Sequence, residues 1–108
     1  MSHWYTVCSL DSILPATGVC ALVNNQQLAI FRPRADETVY ALSNIDPFAQ
    51  ASVLSRGLTC EHQLELWVAS PLKKQRFRLR DGLCMEDESR SVASYQARVR
   101  NGQVEIAV

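Results

Sequence analysis

Histidine is scarce in this chain: only His3 and His62 occur in 108 residues. There is no Gly-x-Ser-x-Gly elbow, and neither imidazole has an evident acid partner, so a nucleophilic triad finds no support. Glycine is equally sparse. Its four residues form no Gly-x-Gly array, which removes the glycine-rich phosphate loop. The four cysteines include no Cys-x-x-Cys pair. No apolar run reaches the roughly 18 residues of a membrane-spanning helix. The start, Met1-Ser2-His3-Trp4-Tyr5, lacks the basic and apolar segments of an export signal, so a cytoplasmic chain is expected. Reduced thiols are expected there, with Cys8, Cys20, Cys60 and Cys84 packed as small hydrophobes. Eleven basic residues balance eleven acidic ones, so no net field favours nucleic acid or a membrane surface.

What is present reads as strands. Apolar residues make up 47% of the sequence, enough for the core of one domain spanning residues 1–108. A chain this short buries a modest fraction of its surface, and a partner is one source of further stability. Gly18–Val23 and Gln27–Arg32 read as a hairpin around Asn24-Asn25, closed by Pro33. Thr38–Ser43 is a further strand. Leu58–Cys60 and Leu64–Ala69 read as a second hairpin around Glu61-His62-Gln63, with Leu64, Leu66 and Val68 sharing a face. Gln75–Arg80 places Phe77 and Leu79 on one side and Arg76, Arg78 and Arg80 on the other. Asp81-Gly82 is a turn. Gln96–Arg100 and Gln103–Val108 flank the hairpin turn Asn101-Gly102. Helical signals are weak: one turn at Asp11–Leu14, capped by Asp11 and stopped by Pro15, and a short piece within Pro47–Leu54.

Two loop phrases carry a resemblance. The first is Ser43-Asn44-Ile45-Asp46-Pro47-Phe48, followed by Ser52-Val53-Leu54-Ser55-Arg56-Gly57. The second is Ala69-Ser70-Pro71-Leu72-Lys73-Lys74-Gln75-Arg76-Phe77, followed by Asp81-Gly82. In order and spacing they resemble the two ligand loops of a Rieske iron–sulfur domain over Thr17–Val108. With Leu14-Pro15-x-Thr17-Gly18-Val19-Cys20-Ala21-Leu22 and Ile30-Phe31-Arg32-Pro33, the chain is more closely similar to the small subunits of assimilatory NAD(P)H-dependent nitrite reductases. The resemblance implies an all-β, Rieske-like sandwich of short antiparallel strands with two emptied ligand loops. It implies a non-catalytic subunit that supports or orients a large subunit carrying FAD, siroheme and an iron–sulfur cluster, which reduces nitrite to ammonium.

A Rieske centre needs two thiolates on one iron and two imidazoles on the other. Here Asp46 and Phe48 stand at the first pair of positions, and Ser70 and Lys73 at the second. Only Asp46 is a plausible ligand, through a hard oxygen. Phe48 has no lone pair, Ser70 keeps its proton and Lys73 is a cation. No cofactor or metal is therefore expected in this chain. Cys60-Glu61-His62 contains a Cys-x-His, but it falls in a hairpin turn and lacks the other half of a site.

Two surfaces suggest partner binding. One is the loop tip, with Phe48, Val53, Leu54 and Leu72 beside Arg56 and Lys73. The other is the basic run Lys73, Lys74, Arg76, Arg78 and Arg80, which Glu86-Asp87-Glu88 is placed to neutralise in part. Solvation of that face and filling of the vacated cluster space are the plain alternatives. Alternative functions are electron transfer through an atypical cluster and a free-standing adaptor that binds an acidic protein.

Overall fold

The computed structural model describes residues 3–108, so Met1 and Ser2 of the start discussed above lie outside the described residues. The strands run in the order β1 (Trp4–Ser9), β2 (Thr17–Val23), β3 (Gln26–Arg32), β4 (Tyr40–Ser43), β5 (Ile45–Asp46), β6 (Ala51–Ser52), β7 (Leu58–His62), β8 (Glu65–Ala69), β9 (Arg76–Arg78), β10 (Ser94–Tyr95), β11 (Ala97–Arg100) and β12 (Gln103–Ala107). Short 3-10 turns cover Leu10–Ser12, Leu54–Arg56 and Glu88–Arg90.

Strand β3 shows why the chain builds layers. Its Leu28 and Ile30 enter one hydrophobic cluster, and its Ala29 and Phe31 enter another. A strand buried on both faces reads as a continuous apolar run, as Leu28-Ala29-Ile30-Phe31 does. The sheet β10-β4-β3-β2 is therefore the middle layer. On one face it packs against β1-β12-β11 through Val104 and Ile106. On the other it packs against β7-β8-β9 through Val68 and Phe77. Phe31 and Phe77 are fully buried, each stabilising by about 2–3 kcal/mol relative to exposure. Gly18 allows β2 to lie close over this second core, because a Cβ there would sit 2.7 Å from the Phe31 ring and 2.9 Å from the Ser55 carbonyl oxygen.

The hairpin turns at Asn24-Asn25 and Asn101-Gly102 form as expected, all four residues having positive φ. The hairpin between β7 and β8 turns later than expected. Its tip is Gln63-Leu64, at φ 51° and 66°, and Leu64 is 95% exposed instead of sharing a face with Val68. Thr38–Ser43 shortens to β4, and Gln75–Arg80 to β9. The first helical turn begins at Leu10, so Asp11 lies inside it and does not cap it; the Ser12 hydroxyl instead donates to the Ser9 carbonyl at 2.7 Å. Residues 47–50 form tight turns, and the helical piece of that loop falls at Leu54–Arg56. Of the cysteines, Cys84 is buried and Cys8 half-buried, while Cys20 and Cys60 are exposed, so the packed reading fails for those two.

Candidate functional site

The two loops meet at Asp46 and Ser70. Asp46 ends β5 and is fully buried. Its Oδ1 accepts the backbone N–H of Phe48 at 2.8 Å and that of Ala49 at 3.4 Å, which bends the chain at Pro47. The Gln50 N–H returns to the Asp46 carbonyl at 2.7 Å, and β6 then pairs with β5. The second loop starts at buried Ser70, directly after β8. Ser70 N–H donates to the Gln75 carbonyl at 2.9 Å, and Lys74 N–H to the Ser70 carbonyl at 3.0 Å. The Ser70 hydroxyl donates to Asp46 Oδ2 in a buried hydrogen bond. A carboxyl–hydroxyl clasp thus joins the two loops.

Phe48 and Lys73 diverge. Phe48 is half-buried, packs on the second core with its ring centroid 6.4 Å from that of Phe77, and lies under the Arg90 guanidinium at 5.2 Å. Lys73 projects into solvent. Buried Asn44 locks the base of the first loop: its Oδ1 accepts Ser55 N–H at 2.7 Å and its carbonyl accepts Leu54 N–H at 3.1 Å. Neither Arg90 nor Asn44 stood out as a site residue. Arg90 meets Phe48 only through the tertiary fold, whereas an Asn two residues before the loop Asp was a readable turn signal.

The donor set does not fit a [2Fe–2S] cluster. Phe48 offers no ligand, Lys73 is exposed to solvent, and both oxygens of Asp46 already accept protein donors. Cys60 and His62 lie exposed on β7, opposite Trp67 and Glu65. Among the described residues, no three His, Cys, Asp or Glu side chains gather as a metal-binding group.

The tip residues separate into two groups. Leu72 is 55% exposed, and Arg56, Lys73 and Lys74 are exposed without ion-pair partners among the described residues. Leu54, expected at the tip, is instead fully buried, because the turn Leu54–Arg56 tucks it into the second core. The arginine run also changes meaning. Arg76 Nε pairs with Glu86 at 2.7 Å, Arg78 grips Asp81 at 2.9 and 2.6 Å, and Arg80 pairs with Glu65 at 3.0 Å. These partners neutralise the strip from within, so it is not a free basic surface. Arg78 also lies 5.6 Å from the Trp67 ring centroid.

The pairing shifts titrations. The Arg78 side chain holds the Asp81 carboxyl below its ordinary value, and Asp81 in turn raises Arg78. Burial pushes Glu86 up, but bonds from the Arg76 N–H and guanidinium outweigh it and leave Glu86 lowered. The Ser89 hydroxyl lowers Asp87.

A family model for a Rieske-like [2Fe-2S] domain matches residues 3–107. The nitrite reductase (NADH) small subunit of Salmonella typhimurium is 66% identical over 106 residues, covering 98% of each chain. This chain belongs to the Rieske-like family of nitrite reductase small subunits. Within that family, the NMR structure of the Escherichia coli protein NirD is 64% identical, with a TM-score of 0.93 over 100% of this chain and 98% of that one. The family's sequence also occurs inside a longer protein. The nitrite reductase [NAD(P)H] large subunit of Klebsiella oxytoca has a segment 42% identical over 101 residues, which is 94% of this chain and 10% of that protein. No helix of the described residues is long and apolar enough to cross a membrane.

Proposed function

We propose that this chain is the non-catalytic small subunit of an NAD(P)H-dependent nitrite reductase that works in nitrate assimilation in the cytoplasm. Its partner is the large subunit, which carries the FAD, siroheme and iron–sulfur cluster of the complex. The end-to-end identity with the Salmonella small subunit carries this reading. The chain acts as one domain. Its clasped loops serve as a rigid docking tip, presenting Phe48, Leu72, Arg56, Lys73 and Lys74 to the large subunit. Aromatic residues and arginine, here Phe48 and Arg56, are the groups enriched at the centre of such contacts.

Mixing purified large subunit with this chain tests the proposal. The expected result is co-elution in size-exclusion chromatography and a rise in nitrite-dependent NAD(P)H oxidation over large subunit alone, with no turnover by this chain alone. Separate elution with unchanged activity would defeat it.

A further inference from the structure

Charge is unevenly distributed along the chain. Between Trp4 and Phe31 the only charged residue is Asp11, and every other Lys, Arg, Asp and Glu lies from Arg32 onward. This stretch forms β1, β2 and all of β3 except its last residue, Arg32, and Asp11 lies between β1 and β2. Strand β1 ends one sheet and β2 ends another, so each has a strand neighbour on one side only. Their edges border one groove of about 430 Å³, with Tyr5, Thr6 and Val7 on one wall and Cys20, Leu22 and Asn24 on the other.

The hydrogen-bond alternation sets what this groove offers. Val23 and Gln26 close a two-residue turn and so form a hydrogen-bonded pair. By alternation Ala21 and Val19 also bond to β3, while Gly18, Cys20 and Leu22 turn their N–H and C=O groups away from it. The bond from Asn44 N–H to the Gln27 carbonyl, 2.9 Å on the far side of β3, agrees with that alternation. On β1, His3 and Val108 exchange both backbone bonds, so Trp4 and Thr6 turn outward in the same way. Proteins guard open edges with charge, proline or bulges. Strand β1 has a bulge between Thr6 and Cys8. Strand β2 has no charge, proline or bulge over its seven residues; the turn Leu54–Arg56 lies against it at Gly18, while Leu22 near its other end is 70% exposed.

We infer that the groove receives an extended, uncharged segment of the large subunit, added as a strand to the free edge of β2. This rests on the proposed function and names a second contact besides the loop tip. A charged segment laid here would lose its water with no opposite charge to meet it. An uncharged one gains backbone bonds from Cys20 and Leu22, and apolar contact with their side chains. The Klebsiella large subunit, which holds a matching segment within one polypeptide, favours the large subunit as occupant.

Hydrogen exchange read by mass spectrometry, on this chain free and in complex with large subunit, tests the inference. Peptides covering residues 17–23 should exchange about tenfold more slowly in the complex. Leu22→Lys places a charge at an exposed position and should weaken binding about tenfold without lowering the thermal midpoint of the free chain. Cys20→Pro removes an outward N–H and should weaken binding similarly; if it fails to fold, Leu22→Lys decides alone. A complex that forms with residues 17–23 exchanging as in the free chain, and with Leu22→Lys binding normally, overturns the inference and leaves the subunit assignment standing. No complex under any condition overturns both. Protection of the same peptides by self-association of this chain alone assigns the groove to a second copy and also overturns it.

Discussion

Asp46 and Ser70 do with one hydrogen bond what a metal centre does with ligands: they hold two loops from different sheets together. The cost of breaking the clasp depends on what is left behind. Asp46→Ala leaves the Ser70 hydroxyl and the Phe48 N–H buried without an acceptor, and should destabilise by about 2–3 kcal/mol. Asp46→Asn keeps an acceptor for the loop N–H and should cost about half as much. Urea unfolding of the two variants measures this, and equal midpoints for wild type and Asp46→Ala would remove the clasp from the account. Phe48 serves the same closure by packing. It is only partly buried, so Phe48→Ala should cost about 1–2 kcal/mol, below the range for fully buried aromatics. The same variant should weaken binding to large subunit in titration calorimetry, whereas Lys73→Ala should weaken binding and leave stability unchanged within about 0.5 kcal/mol.

At the level of elements, β9 and the loop after it are held by ion pairs. Asp81 and Glu86 have folded-state titrations below their unfolded values. A lowered carboxyl stabilises the fold above its unfolded value, and that stability is lost as pH falls through the lowered folded value. Chemical denaturation between neutral pH and about pH 3 should therefore show falling stability in the acid limb. Asp81→Asn should flatten that limb and leave the neutral-to-alkaline portion parallel to wild type. These carboxyls are partly exposed, so salt should shrink the effect. The following turn depends on Gly82. At φ 79° it faces the Val92 carbonyl oxygen, 2.0 Å from where a Cβ would stand. Gly82→Ala should lower the thermal midpoint by several degrees, about the effect of a 1–3 kcal/mol loss in a domain of this size.

The same scale explains what could be read in advance. Asn24-Asn25 and Asn101-Gly102 announce their hairpins because these residues tolerate positive φ. Gln63-Leu64 makes the same kind of turn with residues that carry no such signal, so the hairpin could not be placed from its letters. Strand β1 is readable from its strong β-formers Trp4-Tyr5-Thr6-Val7, although it is not among the expected strands; what the letters do not give is its partner, since the pairing with β12 joins the two ends of the described chain. The arginine run is visible in the sequence and so is part of its neutralisation, by Glu86; the Arg78–Asp81 pair closes within a local turn, and only Arg80 with Glu65 needs the strands brought together. Leu54 looked like a tip residue until the turn at Leu54–Arg56 carried it inward.

For the whole molecule, the two cores divide the work. The core between the middle sheet and β1-β12-β11 ties the ends of the chain together. The core between the middle sheet and β7-β8-β9 supports the loop tip through Phe77, with Phe48 packed on it. The chain belongs to a Rieske-like family, yet its two loops carry a carboxyl, a phenyl ring, a hydroxyl and an amine at Asp46, Phe48, Ser70 and Lys73. The central claim is that this polypeptide holds no redox centre of its own and works through the surface of its partner. Iron and acid-labile sulfide determination on the chain, refolded anaerobically with ferrous iron and sulfide, tests it most directly. The account predicts a colourless folded protein with neither element bound; two irons and two sulfides per chain would contradict it.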